Sequence, residues 1–166
     1  MTKVRYDDLE KIVGQTFGPS EWMPIAQDKI EQYGQSVEDT FWIHTDVERA
    51  TKAFGGTIVH GLLSLSMMPF LGRDLLEVTD HSTDLNYGYD RVRFLSVVHG
   101  GERVRLSFKV ASVEPRGEGL ILRRACTVEV ESATGVKPAL VADWLLLLFP
   151  DPKNLASQAK LATAQA

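Results

Sequence analysis

Between residues 39 and 63 the chain reads DTFWIHTDVERATKAFGGTIVHGLL: an acid, Asp39, stands five positions before His44, and His60 stands directly before Gly61 and a long apolar run. A carboxylate and an imidazole on either side of one water make an acid–base device. The carboxylate takes a proton as the water attacks, and the imidazole steers or donates one. Phe41 and Trp42 beside them would keep bulk water out and strengthen those interactions. A glycine opening a buried helix lets a ligand approach the backbone, and the free N–H groups of that first turn can face an oxyanion. On spacing alone a structural reading stays open, with Asp39 as a cap, His44 in a loop and His60 a satisfied core histidine. The four histidines lack metal-ligand spacing and the chain has a single cysteine, so no metal site is expected. There is no glycine-rich phosphate loop, nucleophile elbow or cysteine–histidine set.

The elements that must hold these residues follow from periodicity. Residues 26–36 place Ala26, Ile30 and Tyr33 on one helical face. Residues 45–56 predict a short helix, capped by Thr45 or Asp46 and stopped by Gly55 and Gly56. Residues 60–76 are apolar on nearly all sides, which predicts one long buried helix kinked at Pro69. Ser64 and Ser66 can be buried there by bonding back to carbonyls one turn earlier. Beyond residue 83 the period changes to two. Strands are expected at 86–99, 103–113, 120–132 and 138–149, the last covered on both faces, with 14–24 as a possible fifth. Short Gly- and Pro-containing connections make the sheet antiparallel. About five such strands curling around one long helix give an α+β architecture over residues 1–150, with 151–166 a loosely helical or disordered tail.

Composition limits the function. The formal charge of −4 argues against nucleic acid as the main partner, and 44% apolar with 24% charged residues is ordinary for a globular chain. Cys126 cannot form an internal disulfide and is expected to be a small buried residue. The charged N-terminus is no secretory signal and no window approaches the roughly 18 apolar residues of a membrane span, so a cytoplasmic protein without a membrane partner is expected.

The segment YGQSVEDTFWIHTDVERATKAFGGTIVHGLLSLSMMP resembles the signature of the MaoC-like dehydratases, the (R)-specific enoyl-CoA hydratases, and is closest to their nodulation protein N-like branch. Tyr33, Asp39, His44, Ala50, and His60 with Gly61 stand at the signature positions, and NYGYDRVRF, GGERVR and KPALVADW follow the same branch. The chain departs at two places: first, Glu38 stands where the family usually has glycine, and a second carboxylate there could raise the pKa of Asp39 or take its place. Thr40, Phe41 and Trp42 replace the x-Asn-Pro of the hydratase signature. The resemblance implies a hot-dog fold, a homodimer, and an acyl thioester as substrate with no cofactor of the protein's own. It makes Asp39 and His44 the water-activating pair and the Gly61 amide the donor to the thioester oxygen. Phe41, Trp42, His60, Asn86 and Arg93 are carried as substrate-binding candidates. Coenzyme A and acyl carrier protein both remain open as carriers, with Arg91, Arg93, Arg103, Arg105, Arg123 and Arg124 as local positive charge. Two other functions are compatible with this reading: a thioesterase on the same fold and a non-catalytic thioester-binding protein.

Overall fold

A computed structural model describes residues 1–153 of the chain. The expectation for the tail falls, beyond residue 153, outside the described residues. Three 14- to 16-residue strands dominate: β6 (Arg103–Arg116), β7 (Gly119–Ser132) and β8 (Gly135–Pro150), antiparallel in succession. β5 (His81–Phe94) pairs with β8 and closes one edge. At the other edge β2 (Thr16–Phe17) and β3 (Met23–Pro24) both pair with β6, so the expected fifth strand is two short ones and the sheet has six. The two-residue period sorts the faces. Val104, Leu106, Phe108 and Val110 of β6 stand beside Val130, Val128, Cys126 and Arg124 of β7, all buried. In β8 residues 142–146 are buried consecutively, Asp143 included, covered on both faces as the nearly continuous apolar run requires.

The helical half differs from expectation at its most apolar stretch. The single kinked helix over 60–76 is two short ones, α4 (Gly61–Ser66) and α5 (Met68–Gly72), with a break at Met67. Pro69 explains the break: it has no N–H to give to the carbonyl of Leu65, whereas in the first turn of a new helix that N–H has no intrahelical partner anyway. Nor is the segment buried all round. Leu63, Met67, Met68 and Leu71 pack into the core, while Leu62 and Phe70 are 59% and 44% exposed. Residue 76 starts β4 (Leu76–Thr79), which pairs in parallel with β1 (Thr2–Arg5), a small second sheet that the periodicity did not reveal. β5 ends at Phe94, five residues short of the predicted strand.

The segment preceding α4 carries the site. α1 (Gln27–Ser36) buries Ile30, with Ala26 just outside its start and exposed. α2 (Trp42–Thr45) is one turn. In α3 (Val47–Phe54) the Asp46 side chain accepts from the Arg49 amide at 3.0 Å, and Gly55, at φ +83°, stops the helix in the left-handed conformation that glycine adopts freely.

Candidate active site

The acid of the pair is presented by a tight return after α1. The amides of Val37 and Asp39 donate to the carbonyls of Tyr33 and Gly34 at 3.1 and 2.9 Å. Between them Glu38 takes φ +60°, the left-handed region that disfavours a side chain, so the departure from the family's glycine falls where glycine fits best. Gly34 is required for another reason: a Cβ there would stand 2.7 Å from the Asp39 carbonyl oxygen and 3.3 Å from the His60 ring. Sequence reasoning passed over Gly34, whose only signal is glycine's cost of about 1 kcal/mol inside a helix.

His44 and His60 are brought together face to face. Their rings stack at 3.7 Å between centroids with 20° between planes, and each residue is less than 9% exposed. Carbonyl oxygens only accept, so the bonds fix the tautomers of the neutral rings. His44 Nδ1 lies 2.5 Å from the Ile58 carbonyl and carries the hydrogen, which leaves Nε2 as the free acceptor. His60 Nε2 lies 2.9 Å from the Asp39 carbonyl and donates to it, while its Nδ1 is buried without a partner among the described residues. His60 therefore holds the backbone of the acid and one face of the other histidine, and the Tyr33 ring lies 5.1 Å from it. The Asp39 carboxylate is about half exposed and 3.9 Å from His60 Nε2.

Ligand-type atoms of Asp39, His44 and His60 all lie within 4.8 Å of one another, a cluster hidden in sequence spacings of five and sixteen. That separation suits one bridging water. It suits a metal ion poorly, because ring-nitrogen lone pairs lie in the ring plane and the stacked rings keep them in two near-parallel planes, which an ion bound to both would have to leave. A second layer holds His44 from behind. Gln27 Nε2 donates to the His44 carbonyl at 2.9 Å, and Gln27 Oε1 accepts from the buried Thr57 hydroxyl at 2.6 Å.

Gly61 opens α4 where the expected donor should be, and a Cβ on it would stand 2.9 Å from the Phe94 ring. It lies on the wall of a groove of about 400 Å³, with Ile58, Leu62, Ser64, Phe94, Val97 and Leu140. Ser66 bonds back to the Leu62 carbonyl at 2.7 Å as expected, whereas Ser64 is buried on that groove. The other candidates are placed elsewhere. Phe41 is 58% exposed; Trp42 stacks on Phe54 and lies under the Arg49 guanidinium, and the ring that packs on His44 is that of His60. Asn86 lines a different cavity, bonded to Trp144 Nε1 and Tyr89 Oη at 2.9 and 3.2 Å. Arg93 is exposed on β5 and donates to the Val92 carbonyl. Of the arginines carried as local positive charge, Arg124 points into the core, a position the alternation of β7 already implied.

Comparison with known proteins decides the family. The model of the MaoC like domain matches residues 8–130. The chain belongs to that family. It is 35% identical over 158 residues to nodulation protein N of Rhizobium leguminosarum bv. viciae, covering 93% of this chain and 97% of that one. It is 37% identical over 138 residues to 3-hydroxyacyl-thioester dehydratase Z of Mycobacterium tuberculosis, covering 82% and 90%. Among solved structures, the (R)-hydratase from A. caviae involved in PHA biosynthesis aligns with a TM-score of 0.60 at 21% identity, over 81% of this chain and 94% of that one. The MaoC-like chain thus has the hot-dog fold, its sheet packed on the α4–α5 pair. Among the described residues no helix is long and apolar enough to cross a membrane.

Proposed function

We propose that this MaoC-like protein is a hydro-lyase that adds water reversibly to trans-2-enoyl-CoA, giving (R)-3-hydroxyacyl-CoA. The observation that carries the reading is the His44 tautomer: with Nδ1–H given to Ile58, Nε2 is left to accept, in a ring clustered within 4.8 Å of ligand-type atoms of Asp39 and His60. A water held by the Asp39 carboxylate and His44 Nε2 has both protons engaged and a lone pair free for C3. As the C3–O bond forms, Asp39 takes one proton; a proton from the same cluster then goes to C2, and water is added with nothing left over. Addition from one cluster puts both groups on one face, the basis for a single 3(R) product. Negative charge builds on the thioester oxygen, where the Gly61 amide at the start of α4 would donate; such donors are worth about 3 kcal/mol each in comparable oxyanion holes. The groove beside Gly61 would take the acyl thioester. The coenzyme arrives with the substrate, so the chemistry calls for no cofactor or metal. A homodimer formed along β5 completes the proposal, since that strand is, among the described residues, an unpaired edge exposing Leu85, Tyr87 and Phe94, and Phe94 lines the groove.

The test is loss of the conjugated-enoyl ultraviolet absorbance of crotonyl-CoA and a longer trans-2-enoyl-CoA, with product chirality determined. Asp39→Asn and His44→Gln should each lower kcat by about a hundredfold or more. Release of free thiol instead would identify a thioesterase. Thermal stabilisation by the thioester without turnover would identify a binding protein and overturn the hydro-lyase reading.

A further inference from the structure

A charge occupies β7 where the strand pattern asks for a hydrocarbon. Alternation turns Leu122, Arg124, Cys126 and Val128 to the core, and Arg124 is only 5% exposed. Its guanidinium lies between the rings of Phe108 and Trp144, 4.8 Å from each centroid. Trp144 is fixed in turn by its bond to Asn86. These contacts offset part of the desolvation of the cation but give its N–H groups no acceptor. Nε is buried without a partner, and among the described residues the guanidinium makes no ion pair or hydrogen bond. Burial lowers its pKa to about 10, so it stays charged at neutral pH; Asp84 pulls in the opposite sense from beyond ion-pair distance and is exposed.

Beside this cation is a cavity of about 430 Å³ whose wall is mainly hydrocarbon: Leu76, Val78, Leu146, Leu148, Pro69 and Trp144. Arg124 reaches it from the core. Of the other charged or titratable groups on the wall, Glu77 is held by Lys3 at 2.9 Å and Arg73 by Asp74 at 3.1 Å, and Asp84 and His81 also line it. No lining residue is shared with the groove at Gly61. The volume is in the range of small-molecule sites, and one buried, unpaired, planar cation beside the hydrocarbon part of the wall selects for a planar anion on an apolar body. We infer that this cavity is a second ligand site, taking a small aliphatic monocarboxylate with its carboxylate on Arg124 and its chain along Leu76, Leu146 and Leu148. A doubly charged phosphate fits less well, because it leaves the hydrocarbon walls unfilled and faces Asp84 with more charge.

Isothermal titration of the full chain with octanoate, 1-octanol and inorganic phosphate tests the assignment independently of enzymatic activity. Octanoate should saturate at one per chain and bind at least about tenfold more tightly than octanol or phosphate. In Arg124→Met, with folding checked by urea denaturation, octanoate affinity should fall by about tenfold or more while octanol binding persists. Equal affinity for octanoate and octanol in the unaltered protein, no saturable octanoate binding, or octanoate binding unchanged in a folded Arg124→Met would each overturn the proposal. The first two readings need no variant.

Discussion

At the scale of single residues, the site rests on positions where a Cβ or its absence decides the geometry. Gly34 and Gly61 permit close packing that alanine would block, since a Cβ would stand 2.7 Å from the Asp39 carbonyl oxygen and 2.9 Å from the Phe94 ring. Glu38 is the opposite case, a side chain held at φ +60° just before the acid. The left-handed conformation costs a non-glycine residue about 1 kcal/mol or more, which glycine avoids. Glu38→Gly should therefore raise the melting temperature by about 2–4 °C for a chain of this size and leave the hydration rate within about twofold. Differential scanning calorimetry and the crotonyl-CoA assay check both parts. A lower melting temperature would mean that the Glu38 side chain contributes more than its backbone costs. Loss of activity would make its carboxylate, and not only that of Asp39, part of the chemistry.

At the scale of elements, His44 is held from two sides: Ile58 accepts from its ring, and Gln27 of α1 ties its carbonyl to Thr57. Gln27→Leu removes both bonds of that clamp and leaves Thr57 without its acceptor. The expected result is a kcat lowered by about tenfold with KM little changed, since a misplaced His44 affects the transition state more than binding. Unchanged kcat in a folded variant would show that Ile58 alone fixes the ring. The sequence made some of this legible and not the rest, for physical reasons. Strand alternation, the Asp46 cap and the Gly55 stop are local, so β6, β7, β8 and α3 were readable from spacing. The break at Met67 was half readable: Pro69 announced a disturbance, but whether a helix bends or restarts depends on the core it packs against. The pairing of β1 with β4, the stacking of His44 on His60 and the bond from Gln27 join distant segments. The Asp39–His44 motif was visible only because its two members lie close in sequence.

At the scale of the whole molecule, the sheet is asymmetric in how it ends. On one side β6 is capped by the short β2 and β3, whereas on the other β5 runs 14 residues with, among the described residues, no further strand beside it. Long unpaired edges invite pairing with another copy, and this one exposes Leu85 and Tyr87 on the strand with Phe94, Leu95 and Val97 at its end. The last three also line the groove beside Gly61, so a second copy on β5 would lie against the proposed thioester path. Isologous contact through one edge gives a closed pair with two-fold symmetry. Light scattering behind a sizing column should then return twice the chain mass. Leu85→Glu combined with Tyr87→Glu sets like charges across the two-fold contact and should return the monomer. Hydration should fall with the dimer, because the groove would lose one wall although Asp39 and His44 are untouched. A monomeric variant with full activity would show that each chain holds a complete site. A dimer that survives both substitutions would place the contact elsewhere, with the exposed Leu62 and Phe70 of the α4–α5 pair as the next surface to alter.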